Sequence, residues 1–380
     1  MEDMEQSRKN IPVAFNGNWR SLLGMSKMRA VDWLDFILYV VPTLVVKRLA
    51  DNNAKGPTMA LVRLCQHSLQ YSVTQADIVA MERDMRIWHQ YLLGLVEDNV
   101  LKVSAFTPNQ HYLSHIPDII RKIGLLRYFS ARPLERVIGV YSRLISSTVA
   151  AGSNAGNIMV KLAMSRSIEP MLIGDTHGPA QDDIVEIDSV EPQLWGFKKF
   201  ASHNFTDPIA GVSSTAFARA LAAFYKQMRL DINFFKELTY CGSLWHDHKV
   251  YGSVLQHSDR KRAAYYVQMC IDVDRLSTSN RANIVMEEKY YFGKVYFYFQ
   301  AKNNDSRTFA LVGIYKASCD EISDTVYFLQ SANDQLFVVD CTSIDNFVGI
   351  LKESDGRNYC IWPNMVCGNN HACVGNTRYI

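Results

Sequence analysis

No apolar run in this chain reaches the roughly 20 residues that a membrane helix needs. The nearest approach, Phe36-Ile-Leu-Tyr-Val-Val-Pro-Thr-Leu-Val-Val46, has eleven residues, is broken by Pro42 and is flanked by Asp35 and Lys47-Arg48. It reads as a buried, proline-kinked helix, so no membrane partner is expected. The opening ten residues are charged and polar where a secretory leader would be apolar, and the expectation is a nuclear or cytoplasmic protein. Cysteine is sparse: eight residues (65, 241, 270, 319, 341, 360, 367 and 373) are scattered over 380. That is no disulfide scaffold and fits buried thiols in a reducing compartment. Net charge is only +2, too little to argue for nucleic acid by itself. There is no nucleophile elbow and no Ser/His/Asp ordering. The one glycine-bearing candidate for a phosphate loop, Gly152-Ser-Asn-Ala-Gly156, follows a helix where such a loop follows a strand. Internal repeats and low-complexity tracts are also missing.

What is present is length and pattern. A chain of 380 residues is too long for one compact core, and its 48% apolar and 21% charged content is that of a globular protein. Up to about residue 170 the apolar residues recur at helical spacing, as in Trp33, Phe36, Ile37, Val40 and Val41. Thr74-Gln-Ala-Asp77 predicts a capping box opening a helix with Ile78, Met81, Met85, Trp88, Leu92 and Leu95 inward. Another helix is predicted from Pro117 to Ile123, ending at Gly124. A further one starts at Pro133 and turns Val137, Val140, Tyr141 and Leu144 inward. Residues 175–191 hold six acids and no Lys or Arg, which marks a solvated linker. Ser213-Ser214 would cap a helix bearing Phe217, Leu221, Phe224 and Met228. From about residue 262 the period becomes 2, in runs at Tyr290–Phe299, Phe309–Tyr315, Val326–Leu329 and Leu336–Val339. The expected fold class is α+β multidomain: an N-terminal all-helical region followed by a small antiparallel β-barrel-like module. The expected divisions are a helical region at 1–172, an acidic linker at 173–192, a helical connection at 193–242, a β module at 243–366 and a tail at 367–380.

The densest chemistry lies between Phe106 and Gly139. Glu135 sits between Arg132 and Arg136 at the start of a helix. There it is either a charge that complements the helix dipole or one carboxylate of a divalent-metal site, which needs at least two more acids. His111 and His115 stand four apart and could share a helix face. Pro117 is expected to start the regular helix after them and part their rings, which leaves both as structural residues. Lys122, Arg127, Arg132, Arg136 and Arg143 make a basic run, read either as a solvated face or as phosphate contacts. His246-Asp-His248 would put two imidazoles on one strand face without a third ligand. Cys360, Cys367, His371 and Cys373 match none of the common zinc spacings. No metal ligand is assigned. Tyr290, Tyr291, Tyr296 and Tyr298 read as core, since no basic residues interleave with them.

The order His111-xxx-His115, Gly124, Ala131-Arg-Pro-Leu-Glu-Arg136 resembles the C-terminal region of CACTA-type (En/Spm) transposases. In that family a histidine-bearing helix precedes a Gly-Pro turn, and an aromatic-Pro-Phe-Glu-Arg segment opens a basic helix. Met28-Arg-Ala-Val-Asp-Trp-Leu-Asp-Phe36 with Val41-Pro42, and Ala151-Gly-Ser-Asn-Ala-Gly-Asn-Ile158, occupy corresponding places. The resemblance covers about residues 18–165. Leu125 stands where the family has proline, and Arg132-Pro-Leu134 replaces its aromatic-Pro-Phe. It implies the late part of an RNase H-like core whose triad is two aspartates and a late glutamate. Glu135 matches the glutamate, but no strand ahead of it offers an aspartate, so it is vestigial and the chain alone is not expected to cut DNA. No cofactor is assigned, although a complete homologue would use Mg or Mn. The implied partners are DNA, through the basic helix, and a full-length transposase or other proteins. The alternative is a non-enzymatic protein–protein interaction protein with a helical domain and a β module. A metal hydrolase using His246, His248 and a distant acid ranks below both.

Overall fold

The computed structural model describes residues 2–15, 17–19, 28–129, 156, 159–160, 191–195, 200–203, 208–227, 238–257, 262–274, 286–301, 307–330, 335–368 and 374–375. The chain forms two compact units, Met1–Ile123 together with Val190–Ile380, and Gly124–Ser189. Of the second unit, a 3-10 turn at Leu126–Phe129 is described.

The first unit begins with α1 (Glu2–Ser7) and α2 (Ala30–Asp35). The latter runs into a π-helical segment, Phe36–Val45, with Pro42 inside it. Proline has no N–H for the helical ladder, and Thr43 Oγ1 donates to the Tyr39 carbonyl at 2.6 Å. Leu38 to Leu44 are buried, as their hydropathy demands. Trp33 was expected on the same inward face and is instead exposed. Widening from α to π turns rotates the apolar stripe and leaves it out of phase.

Helix α3 (Asn52–Ser68) starts on Asp51, whose side chain accepts from Asn53 N at 2.8 Å. Helix α4 (Gln75–Glu97) opens with the predicted capping box: Asp77 N donates to Thr74 Oγ1 at 3.2 Å, and Thr74 N donates to Asp77 Oδ2 at 2.8 Å. Asp84, fully buried, joins the two helices by accepting from Arg63 Nε at 2.9 Å and Nη2 at 3.0 Å. A desolvated carboxylate needs such a partner. Short α5 (Pro108–Leu113) and α6 (Ile116–Ile123) follow. Gly124, at φ +103°, ends α6 in the left-handed conformation that favours glycine.

The strands are β1 (Gln193–Trp195), β2 (Phe200–His203), β3 (Leu238–Cys241), β4 (Ser243–His246), β5 (Lys249–Gly252), β6 (Tyr266–Asp274) and β7 (Met286–Ala301). They continue with β8 (Thr308–Ile314), β9 (Ala317–Cys319), β10 (Val326–Leu329), β11 (Gln335–Asp340), β12 (Ile344–Phe347), β13 (Gly349–Lys352) and β14 (Arg357–Ile361). Helix α7 (Ser214–Gln227) lies between β2 and β3, so the segment expected as a helical connection, 193–242, also carries three strands. The fold is α+β with antiparallel sheets, but the expected barrel-like closure is absent among the described residues. The strands form three open sheets of three, four and seven strands. The long β7 organises the largest, with β8 on one edge and both β6 and β3 on the other. Extra strands therefore extend the sheet sideways and its edges do not meet.

Register along β7 shifts between Val295 and Phe297. Tyr296 is the extra residue of this β-bulge, which reverses the facing of everything after it. Tyr291, Val295 and Tyr298 enter one apolar cluster, while Phe297 and Phe299 pack with Phe217 and Leu221 of α7 in another. Strict alternation would have put Val295 and Phe297 on one face. Gly293 is needed beside the bulge, since a Cβ there would stand 2.5 Å from the Gly313 carbonyl oxygen.

A third cluster crosses from helices to sheet. It joins Met4, Ile11, Val40, Leu44, Met59 and Val62 to Phe292, Ile350, Tyr359 and Ile361. Polar contacts follow the same line. Lys352 N donates to Ser7 Oγ at 2.8 Å, and Ala263 N donates to the Lys9 carbonyl at 2.7 Å. Lys47 pairs with Glu353 and donates to the Tyr359 hydroxyl at 2.8 Å. Arg48 reaches Glu353 at 3.1 Å and Asp3 at 2.5 Å. The helices before residue 69 and the β-strands thus share one core. Among the described residues, no helix is long and apolar enough to cross a membrane.

Candidate functional site

A cleft of about 710 Å³ opens where the seven-stranded and four-stranded sheets meet the start of α7. Strand β7 supplies Lys294 and Tyr296, β13 supplies Lys352, β14 supplies Asn358 and β10 supplies Phe328. Tyr265, Tyr266 and Tyr315, at the ends of β6 and β8, complete the aromatic part. The bulge explains why Tyr296 is half-buried at this wall while its neighbours Val295 and Phe297 are buried in the core.

The cleft is aromatic and cationic. The Tyr315 and Phe328 rings stack in parallel at 3.9 Å and 3°. Tyr265 lies 4.6 Å from Tyr266 and meets His257 edge-on at 5.0 Å. The Lys294 ammonium sits 5.1 Å from the Tyr296 ring centroid, an attraction between cation and ring quadrupole. Lys352 is exposed. Among the described residues, the lining carries two lysines and no carboxylate. Asn358, only 6% exposed, donates its amide to the carbonyls of Gly356 at 3.3 Å and Phe328 at 3.5 Å. Sequence reading assigned Tyr296 to the core because no cation interleaves locally. Lys294 in fact stands two residues before Tyr296 in the same strand, and folding brings the second lysine, Lys352, from β13.

The predicted site residues fall elsewhere. His111 and His115 are brought together, with rings edge-on at 4.6 Å and Nε2···Nε2 at 3.0 Å. One imidazole donates and the other accepts. The expected helix break is present, between α5 and α6, yet it does not separate the rings. Lys122 is exposed on α6, and Arg127 is half-buried on the 3-10 turn. Arg121, which sequence reading passed over, pairs with Glu82 at 2.5 Å and Asp118 at 3.2 Å. It therefore adds no free charge to the basic run. Arg132, Glu135, Arg136 and Arg143 lie outside the described residues.

The other candidate ligand sets are likewise placed by folding. His246 ends β4, whereas Asp247 and His248 form the two-residue turn to β5 with φ of +47° and +56°. These are the values of a type I′ hairpin, so the two histidines do not share a strand face. Burial raises the thiol pKa of both Cys360 and Cys367, that of Cys367 to about 12, and both belong to the helix–sheet core. His371 and Cys373 lie outside the described residues. Among the described residues no group of three or more His, Cys, Asp or Glu could hold a metal ion.

Comparisons with protein-family models, curated proteins and solved structures give no match to this chain.

Proposed function

We propose that this is a transposable-element-derived, DNA-associated protein resembling the late part of a CACTA-type transposase and lacking a complete carboxylate triad. One observation carries the reading: the ordered segment from His111 through α6 to Gly124, followed in sequence by Arg132-Pro-Leu-Glu-Arg136. The helix stop at Gly124, with its left-handed backbone, supports it. In this reading Glu135 is the vestigial third acid. Ahead of it the described residues form helices and turns, with no strand to carry an aspartate. Lys122, Arg127, Arg132, Arg136 and Arg143 contact phosphates, and no metal is required.

The test is binding of labelled duplex DNA at two salt concentrations. Five neutralised phosphates give a log–log slope of roughly −4.5, so affinity should drop roughly 500-fold between 50 and 200 mM salt. Reversing Arg132, Arg136 and Arg143 to Glu should abolish the shift. Absent or salt-independent binding refutes the proposal and favours the alternative, a non-enzymatic protein-binding protein. That alternative draws on the large apolar side chains left in solvent at Leu93, Val100, Val103, Tyr112 and Ile123.

A further inference from the structure

We infer that His111 and His115 form a surface chelate for a divalent transition-metal ion of the nickel or copper class, bound through both Nε2 atoms with water in its remaining positions. The inference goes beyond the reading above and stands without it, since that reading gives the two imidazoles no chemistry and requires no metal.

The two Nε2 atoms face each other at 3.0 Å, with the rings edge-on and both side chains exposed. Two nitrogens at that separation, each at the roughly 2.0–2.1 Å of a metal–imidazole bond, subtend roughly 91–97° at a shared ion. Such an angle suits neighbouring ligands on a tetragonal or octahedral ion, the preference of Cu²⁺ and Ni²⁺. A tetrahedral ion such as Zn²⁺ would want the nitrogens roughly 3.3–3.4 Å apart, and in a structural site it takes four protein ligands. Among the described residues no third His, Cys, Asp or Glu joins this pair.

The pair is also held in place before any ion arrives. Ser114 N donates to the His111 carbonyl at 3.0 Å and His115 N to the Tyr112 carbonyl at 3.1 Å. The break between α5 and α6 is therefore one tightened turn, and the chain keeps coiling through it. Before the pair, Gln110 is clamped to α4: its side-chain oxygen accepts from Trp88 Nε1 at 2.9 Å and its carbonyl from His89 Nε2 at 3.1 Å. After it, the His115 carbonyl accepts from Ile119 N of α6 at 2.9 Å. Ligands ordered in advance spare binding an entropic cost. The hydrogen bond between the rings is a poor reason for the arrangement by itself, because water offers each exposed nitrogen a comparable partner. On metal binding the donating ring moves its proton from Nε2 to Nδ1, and each Nε2 gives its lone pair to the ion.

Titration calorimetry of the full chain with Ni²⁺ in a non-coordinating buffer tests this. Ni²⁺ is the probe because free thiols, which this chain carries, do not reduce it. One Ni²⁺ per chain is expected to bind, and more tightly than Zn²⁺. His111→Ala and His115→Ala should each weaken that event by about 100-fold or more, since losing one ligand forfeits the effective concentration that joins two weak contacts. The double variant should bind little worse than either single one, because one loss already breaks the chelate. His248→Ala, which removes a single exposed imidazole on the β4–β5 turn, should bind like the parent. Both histidines of the pair are exposed, so their variants should melt at the parent's temperature without metal. Added Ni²⁺ should raise the melting temperature of the parent and not of the single variants. Should His115→Ala fail to fold, His111→Ala decides alone. The inference is overturned by three outcomes: Ni²⁺ shows no saturable event below millimolar concentration, the single variants bind within about threefold of the parent, or Zn²⁺ binds more tightly than Ni²⁺. No DNA is used, so failure leaves the basic-run proposal untouched.

Discussion

Replacing Asp84 by alanine should be among the most damaging single changes in the helical part of the protein. The carboxylate is fully buried and takes both donors of the Arg63 fork at 2.9 and 3.0 Å, with Arg83 at 3.3 Å. Removing one partner of a buried pair costs about 3–5 kcal/mol, because the other is left desolvated and unpaired. The Arg63 side chain keeps 22% exposure and Arg83 keeps 60%, so water recovers part of the loss. The expected cost is therefore near the lower bound, about 3 kcal/mol, or a fall of roughly 6–12 °C in melting temperature. Asp84→Asn keeps the volume and one acceptor while losing the charge, and should cost about 1.5–3 kcal/mol. The double change Arg63→Met with Asp84→Leu removes both charges and should recover most of the loss. Circular-dichroism melts and urea unfolding of the three variants measure this. If Asp84→Ala loses under about 1 kcal/mol, or the double variant is no better than the single, the pairing argument is refuted.

Gly293→Ala should destabilise by about 1–3 kcal/mol, because the new Cβ meets the Gly313 carbonyl at 2.5 Å and Val312 Cγ1 at 2.8 Å; unchanged urea unfolding would mean that β7 and β8 part easily. Lys47→Met and Arg48→Met should be non-additive by roughly 0.5–3 kcal/mol, since each alone leaves Glu353 one cation and both together leave none; a strictly additive double-mutant cycle contradicts the shared contact. Asp32 is held below the usual carboxylate range, first by the Arg29 side chain and also by the backbone N–H groups of Asn18 and Arg29, against the opposing effect of burial. A carboxyl lowered on folding contributes its stability above the ordinary value near 4 and loses it as pH falls through the lowered value. Between pH 5 and 2 the parent should therefore lose more stability than Asp32→Asn, and parallel pH profiles would exclude that role.

Legibility followed the range of the interactions. The Thr74–Asp77 cap and the Gly124 stop lie within one turn of chain and were readable, as were β7, β8 and β11, whose aromatic and branched runs are longer, and the short β10, whose four residues are all apolar or aromatic. Strands such as β1, β9 and β12, of three or four residues, are too short to show a period. Trp33 was misplaced because periodicity assumes one helical pitch and the chain changes pitch at Phe36. The cleft was unreadable for a different reason: a single inserted residue, Tyr296, and a cation 56 positions later, at Lys352, have no mark of association in the sequence. The merging of helices and sheet into one core was equally hidden, since hydropathy shows which faces are buried and not what they are buried against.

The contact between α1 and β13 also sets an order of events during synthesis. Ser7 and Lys352 are 345 residues apart, and ribosomes add roughly 5–20 residues per second. The first helix therefore waits roughly 17–70 s for its partner strand. Throughout that interval Met4 and Ile11 lack the β13–β14 surface that later covers them. Folding of this unit is closed by its last-made strands, and a nascent chain stalled before Gly349 would present its amino-terminal apolar face to holding chaperones.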